Sequence, residues 1–486
     1  MTASLLFEKN PAQSTPKKVG TSRGLPAGRF GETANLITTC SLFFLSLLFV
    51  ALSTPVAAAE KIADDTLPDT SPYLGEIRRA PNGELIVVPS PPAPQPPLDA
   101  ADTSDAPDAS IAGKKTGRII SVGPTARIHS IATAAALARN GDTIEIAAGD
   151  YPQDVAIWTQ DNLTIRGMSD KNGGRVRLLA NGASAEQKAI WVVRGGKVLI
   201  ENIEFSGARV ADKNGAGIRF EGGDLTLRHC RFIDNENGLL SSSAPNATLT
   251  IENSEFARNG AGDGYSHNLY VGAIKTLRVT GSYFHHANGG HLLKSRARKN
   301  YILYNRLTDE TSGHASYELE FPNGGMAYVI GNIIEQSATT ENPTLISFGA
   351  EGYKTQKNAL YLINNTLVDH RPAGGIFLAV KPGTGIVTAY NNLLLGKRLL
   401  NTGIDGLFVN NPNVDARVFV LADRHDYRIA RDSGLERTYV APPSINGLIL
   451  APQQEYVHPA ATRRLTGTPT LPGARQTMQP DTFSSK

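Results

Sequence analysis

Cysteine is scarce in this sequence: the 486-residue chain has two, Cys40 and Cys230. Cys40 lies inside an apolar run, LITTCSLFFLSLLFVAL, at residues 36–52. If that run is removed, one thiol remains and no internal disulfide can form. Cys230, in LTLRHCRF, falls where the pattern suits a small buried side chain, so it reads as a packed thiol and not as a nucleophile. Charge of one sign is scarce as well. The formal net charge is +3, which gives no reason to expect nucleic acid as the main partner. Methionine numbers 4 against 47 glycines, a balance that points to many turns rather than long helices.

The apolar run carries no charge and follows Lys17, Lys18, Arg23 and Arg29. STPVAAAE after it offers small residues for cleavage after Ala59. The run is short for a full membrane span. Residues 1–59 therefore read as a signal peptide, with a retained anchor as the alternative. Membrane contact is expected only through residues 36–59, if they stay uncleaved. The remainder is expected to be exported, to the periplasm or beyond the cell. Residues 60–116 read as a linker, since ten Pro and nine acidic residues fall between 61 and 113.

Order is expected from Gly117, with a short helix over 128–139 that sets Ile128, Ile131 and Ala135 on one face and stops at Gly141. Further on the sequence repeats itself: VLIENIEF, LTLRHCRF, LTIENSEF, LRVTGSYF, YILYNRL, YVIGNII, YLINNTL, TAYNNLL. Taking Asn202, His229, Asn253, Gly281, Tyr304, Gly331, Asn364 and Asn391 as equivalent gives steps of 27, 24, 28, 23, 27, 33 and 27 residues. Such a period means stacked supersecondary units. The units show alternating apolar residues and no helical pattern, so each reads as one coil of short strands. Asn305, Asn332, Asn365 and Asn392 recur at one place in consecutive coils. Stacked amides can hydrogen-bond along such a ladder, and Asn tolerates the left-handed backbone of a tight turn.

These repeats resemble the right-handed parallel β-helix of pectate-lyase-like and related carbohydrate-active proteins, over about residues 117–435. The resemblance implies an all-β fold: a single right-handed parallel β-helix, a solenoid of about eight to ten coils, with the short N-terminal helix capping its edge. The solenoid is placed at 117–440, and 441–486 is expected to be an irregular C-terminal tail.

Strand side chains alternate between core and solvent. In GIRFEGG, GLLSSS, HNLYVG, HLLKSR, YELEFPNGG, LISFG and IFLAV, the core side takes Ile218, Leu239, Leu269, Leu293, Leu319, Ile346 and Leu378. The opposite side then carries Arg219, Leu240, Tyr270, Lys294, Arg296, Glu318, Glu320 and Ser347. Neighbouring coils are about 4.8 Å apart, so Lys294 or Arg296 is expected within reach of Glu318 or Glu320, with all of them exposed. Five of the ten histidines fall between 267 and 314, and His267 and His291 each precede a strand, where they can stack across coils. An exposed ion-pair network of little energetic weight is the structural alternative.

The stretch LLKSRARKNYILYNRLTDETSGHASYELEFPNGGMAYVIGN also resembles the core of the alginate lyase and chondroitinase-B family. That resemblance implies Lys294 as catalytic base. Two positions depart from it: Glu320 stands near the place of the family's catalytic Arg, and Leu293 replaces the Asn before the Lys. Lyase chemistry needs a base for the proton α to a uronate carboxylate and a cation, often Ca²⁺, to neutralise that carboxylate. The expected site has Lys294 as base and His291 or Tyr270 as proton donor. Arg296, Arg298, His267 and Asn268 are its substrate contacts. Glu318 and Glu320 serve as ligands for Ca²⁺ or as an acid/base pair. The expected substrate is an acidic polysaccharide, cleaved by β-elimination or epimerised. Two alternatives stand beside this one. Glu318 and Glu320 on one strand suit a glycoside hydrolase, and the fold equally suits a non-catalytic polysaccharide-binding or cell-envelope scaffold.

Overall fold

The computed structural model describes residues 76–79, 85–88, 117–383, 385–400, 403–445 and 447–478. The expected signal peptide and most of the linker lie outside the described residues. Within the linker, Glu76–Arg79 and Leu85–Val88 pair as an antiparallel hairpin.

From Gly117 the chain winds into a right-handed parallel β-helix. One coil shows the plan: Leu293–Ser295, then Lys299–Leu303, then Arg306–Thr308. Strands in equal positions pair in parallel from coil to coil, so three sheets run along the solenoid. The first contains Leu269–Val271, Leu293–Ser295 and Leu319–Phe321. The second contains Thr276–Thr280, Lys299–Leu303 and Met326–Ile330. The third has ten strands, from Gly149–Pro152 to Leu393–Leu395, within the eight to ten coils expected.

The interior is built from rows of like side chains. Leu239, Leu269, Leu293, Leu319, Ile346 and Leu378 form one row, all buried. Phe205, Phe232, Phe256 and Phe284 form another, with stacked rings 4.6 to 5.0 Å apart. Each such side chain stabilises the fold by about 1.5–3 kcal/mol. The eight residues aligned as equivalent all adopt left-handed backbone, with φ between 49° and 68°. From Asn305 on, the Asn that follows each turn residue builds the ladder. Asn332 Oδ1 accepts from the Asn305 backbone N–H at 2.8 Å, and Asn365 and Asn392 continue the series, all with no solvent exposure.

The N-terminal helix is shorter than predicted, Ile131–Leu137. Ser130 caps it, and the Asp154 carboxylate from the next coil accepts the free N–H groups of Ile131 and Ala132. Ala138 turns to extended backbone and ends it. At the other end Phe419–Leu421 pairs with Asp426–Ile429, and the segment expected as an irregular tail contains a second antiparallel pair, Gln454–Val457 with Ala461–Arg464. The segment returns along the solenoid: Gln453 N–H donates to the Tyr304 hydroxyl at 2.9 Å and Gly473 N–H to the Asn391 carbonyl at 2.7 Å. Buried Tyr456, Leu471 and Ala474 drive this docking. They are too few and too irregularly spaced to give a periodic signal in the sequence.

Candidate functional site

Tyr270, Lys294, Glu320 and Ser347 are paired positions on successive strands of the first sheet. Their neighbours Leu269, Leu293 and Leu319 point inward, so these four point out. Lys294 Nζ lies 3.0 Å from Glu320 Oε2 and 3.3 Å from Glu351 Oε1. Arg296, two residues on, holds Glu351 through both terminal nitrogens, at 2.6 and 2.9 Å. It also donates to the Asn323 side-chain oxygen at 2.6 Å and, through Nε, to the Tyr270 hydroxyl at 3.1 Å. His291 Nε2 completes the cluster, 3.0 Å from the same Glu320 oxygen as Lys294.

Two cations therefore face two anions. Burial pushes the Glu320 carboxyl up, but His291 and Lys294 outweigh it and hold the group below the usual carboxylate range. Arg296 holds Glu351 low as well. Burial keeps His291 below the usual imidazole range despite Glu320. His267 lies beneath, its ring stacked on His291 at 4.3 Å and its Nδ1 accepting the His291 backbone N–H at 2.9 Å. Burial drives its pKa far down too, so it supports the site as a neutral ring.

Several expectations are corrected. Glu318 does not share the face of Glu320. The strand starts at Leu319, and one step earlier the coil positions are Asn268, Leu292, Glu318 and Leu345, all fully buried. Alternation fails at this corner because two consecutive side chains turn inward. Neither Glu318 oxygen has a hydrogen-bond partner, and burial, with the nearby Asp309 second, drives its pKa far up. Glu318 is a neutral acid inside the coil. The two carboxylates cannot share a Ca²⁺ ion or act as a hydrolase pair. The Glu320 oxygen that faces the cluster lies 3.0 Å from both His291 Nε2 and Lys294 Nζ. Asn268 is also internal: its oxygen accepts from Asn259, and its amide donates to the His285 carbonyl. It cannot touch substrate. Arg298 is exposed but turns to the Pro245 carbonyl, away from Lys294. Lys294 itself is not exposed; its side chain keeps 13% of its accessible surface.

Glu351 and Asn323 complete the cluster. Glu351 lies in the extra residues of the longest repeat, SFGAEGYKTQKN, and that length was the only sequence signal for it. Asn323 sits in a turn whose glycines explain themselves, so nothing marked it.

A family model described as "Right handed beta helix region" matches residues 127–307. The chain has a right-handed parallel β-helix fold. Among solved structures, a pectate lyase, Pel9A, is similar at 17% identity and TM-score 0.46, covering 75% of this chain and 97% of that one. ORF18 of Geobacillus virus E2 is similar at 13% identity and TM-score 0.38, covering 56% and 52%. DFA-IIIase from Arthrobacter chlorophenolicus A6 is similar at 14% identity and TM-score 0.27, covering 56% and 89%. No curated protein matches the sequence.

Proposed function

We propose that this is an exported β-helix protein that acts on an acidic polysaccharide at the outer face of the first sheet, by β-elimination or epimerisation at a uronate. One observation carries the reading: Arg296 and Lys294 stand side by side and both hold the half-exposed carboxylate of Glu351. A carboxylate already occupies the place a substrate carboxylate needs.

A uronate entering the face displaces Glu351 and takes the planar fork of Arg296. Lys294, 3.0 Å from Glu320, is the base that takes the proton α to the bound carboxylate. The Tyr270 oxygen already accepts from Arg296, so its own proton is free for transfer. In elimination it goes to the leaving oxygen, and in epimerisation to the opposite face of the carbanion. His291, committed to Glu320, serves that carboxylate instead of the substrate.

Turnover of a uronate polymer reads directly as ultraviolet absorbance of the unsaturated product, or as inversion at the uronate carbon. Lys294→Ala and Lys294→Arg are both expected to abolish it, since Arg keeps the charge but cannot act as a base. Activity retained in Lys294→Arg removes the base role. N-terminal sequencing of the exported protein, expected to begin near Glu60, tests export.

A second reading is a non-catalytic polysaccharide binder, supported by the balance of two cations against two anions. A wild-type protein that binds uronate polymers and turns none over has this role. Lys294→Arg then keeps affinity, and Lys294→Ala weakens it in a salt-sensitive way.

A further inference from the structure

The third sheet carries a second constellation, on a different sheet from the first and unused by the chemistry above. Glu335 comes from the strand Ile333–Gln336, and His370 follows the next strand of that sheet, Thr366–Asp369. His425 comes from the C-terminal segment, just before Asp426–Ile429. Glu335 Oε1 lies 2.5 Å from His425 Nδ1 and 3.6 Å from His370 Nε2. One ligand atom from each of the three residues lies within 4.8 Å of the others. Among the described residues this is the one such grouping of His, Cys, Asp and Glu.

Three independent features point to a bound ion. Glu335 has no solvent exposure, yet its Oε2 has no hydrogen-bond partner. A buried carboxylate oxygen left so is costly, and a cation satisfies it. The second ring nitrogen of His425, Nε2, is held 3.0 Å from the Thr311 hydroxyl. An outer partner of this kind fixes a ligating ring and leaves the other nitrogen for metal. Finally, His425 and its neighbour Tyr427 line a cavity of about 420 Å³, together with Tyr283, Arg306, His458 and Arg475. The Tyr427 hydroxyl lies 3.0 Å from His370 Nε2.

We propose that Glu335, His370 and His425 form a binding site for a divalent transition-metal ion of the zinc class, open on one side to this cavity. Two imidazoles and one carboxylate suit borderline ions such as Zn²⁺ and Co²⁺ better than Ca²⁺, which takes six to eight oxygens. Three protein ligands leave a fourth tetrahedral position for water or a small ligand. The ligand atoms are already gathered; to admit bonds of about 2.0–2.1 Å, His425 and Glu335 part by under about 1 Å and His370 Nε2 releases the Tyr427 hydroxyl. Arg306 and Arg475 on the cavity wall suit an anionic group on whatever occupies that position.

The test uses the full chain, stripped with a chelator and titrated calorimetrically with Zn²⁺ and, for its visible absorption, with Co²⁺. One equivalent of metal per chain is expected. Co²⁺ should give the intense bands of a four- or five-coordinate site, and Zn²⁺ should raise the melting temperature. His370→Ala changes a half-exposed ring at the edge of the site, and is expected to keep the fold and to weaken metal binding at least tenfold. Glu335→Gln should do the same. Wild-type protein that takes up no stoichiometric metal overturns the proposal. So does equal binding by wild type and a folded His370→Ala.

Discussion

Glu318 and Glu320 stand two residues apart on one coil and meet opposite surroundings. Glu320 lies on the outer face of the first sheet, 3.0 Å from both a lysine and an imidazole. Glu318 lies inside, between Leu292 and Leu345, with no partner for either oxygen. Outside, the protein spends burial to hold charges at fixed positions. Inside, the same side chain survives only as a neutral acid. In a β-helix, depth of one residue along the strand decides whether a carboxylate is chemistry or filler.

The contrast has a sign that pH reveals. Glu320 has a lowered folded pKa, so its contribution is present above the ordinary value of about 4.3 and is lost as pH falls. Glu318 has a raised folded pKa. Its protonated form suits the fold, so stability is full below about 4.3 and declines as pH rises. The largest effect is expected from Glu320→Gln, which leaves Lys294 and His291 short of their partner. A loss of about 3 kcal/mol at pH 7 is expected, shrinking toward pH 3. Denaturant midpoints across that range measure it. A loss that does not change with pH breaks the comparison on the outer side.

Glu318→Leu is expected to act in the other direction. Leucine occupies the same position one coil before and one coil after. At pH 8 the variant should gain about 1–3 kcal/mol, since replacing a buried ionisable group by a well-packed apolar one is often stabilising. At pH 4 wild type and variant should converge, because the acid is already protonated. A destabilised Glu318→Leu would mean that Glu318 binds something inside the coil.

The sequence showed the solenoid far better than the site. Turn residues at 23- to 33-residue steps and the recurring Asn305, Asn332, Asn365 and Asn392 come from backbone geometry that every coil repeats, so they leave a visible pattern. The row Tyr270, Lys294, Glu320 was legible for the same reason: it follows from alternation within strands. Alternation ends with the strand, which is why Glu318 and Asn268 were placed on the wrong side. Contacts made between distant parts of the chain left little trace. His425 meets Glu335 only because the C-terminal segment returns over the third sheet. Arg296 meets Glu351 only because a loop in the longest repeat closes over the face.

The smallest stability effect, and the finest test of the outer face, belongs to Glu351. Its side chain keeps 45% of its surface, so removing its charge should cost less than about 1 kcal/mol. The consequence for binding should be much larger. In the resting protein Glu351 pairs with both cations, and on the proposed function a uronate has to displace it. Glu351→Gln frees Arg296 and Lys294 while keeping the loop's shape. The variant should bind uronate oligomers about tenfold more tightly at low salt, with the gain fading as ionic strength rises. Titration of wild type and variant at two salt concentrations, beside melting curves, separates the two quantities. Tighter binding with an unchanged melt means that Glu351 holds the place of a substrate carboxylate. Weaker binding with an unchanged melt means that Glu351 contacts the sugar itself, and the displacement step falls. An unchanged affinity at both salts would place the polysaccharide on another face of the solenoid.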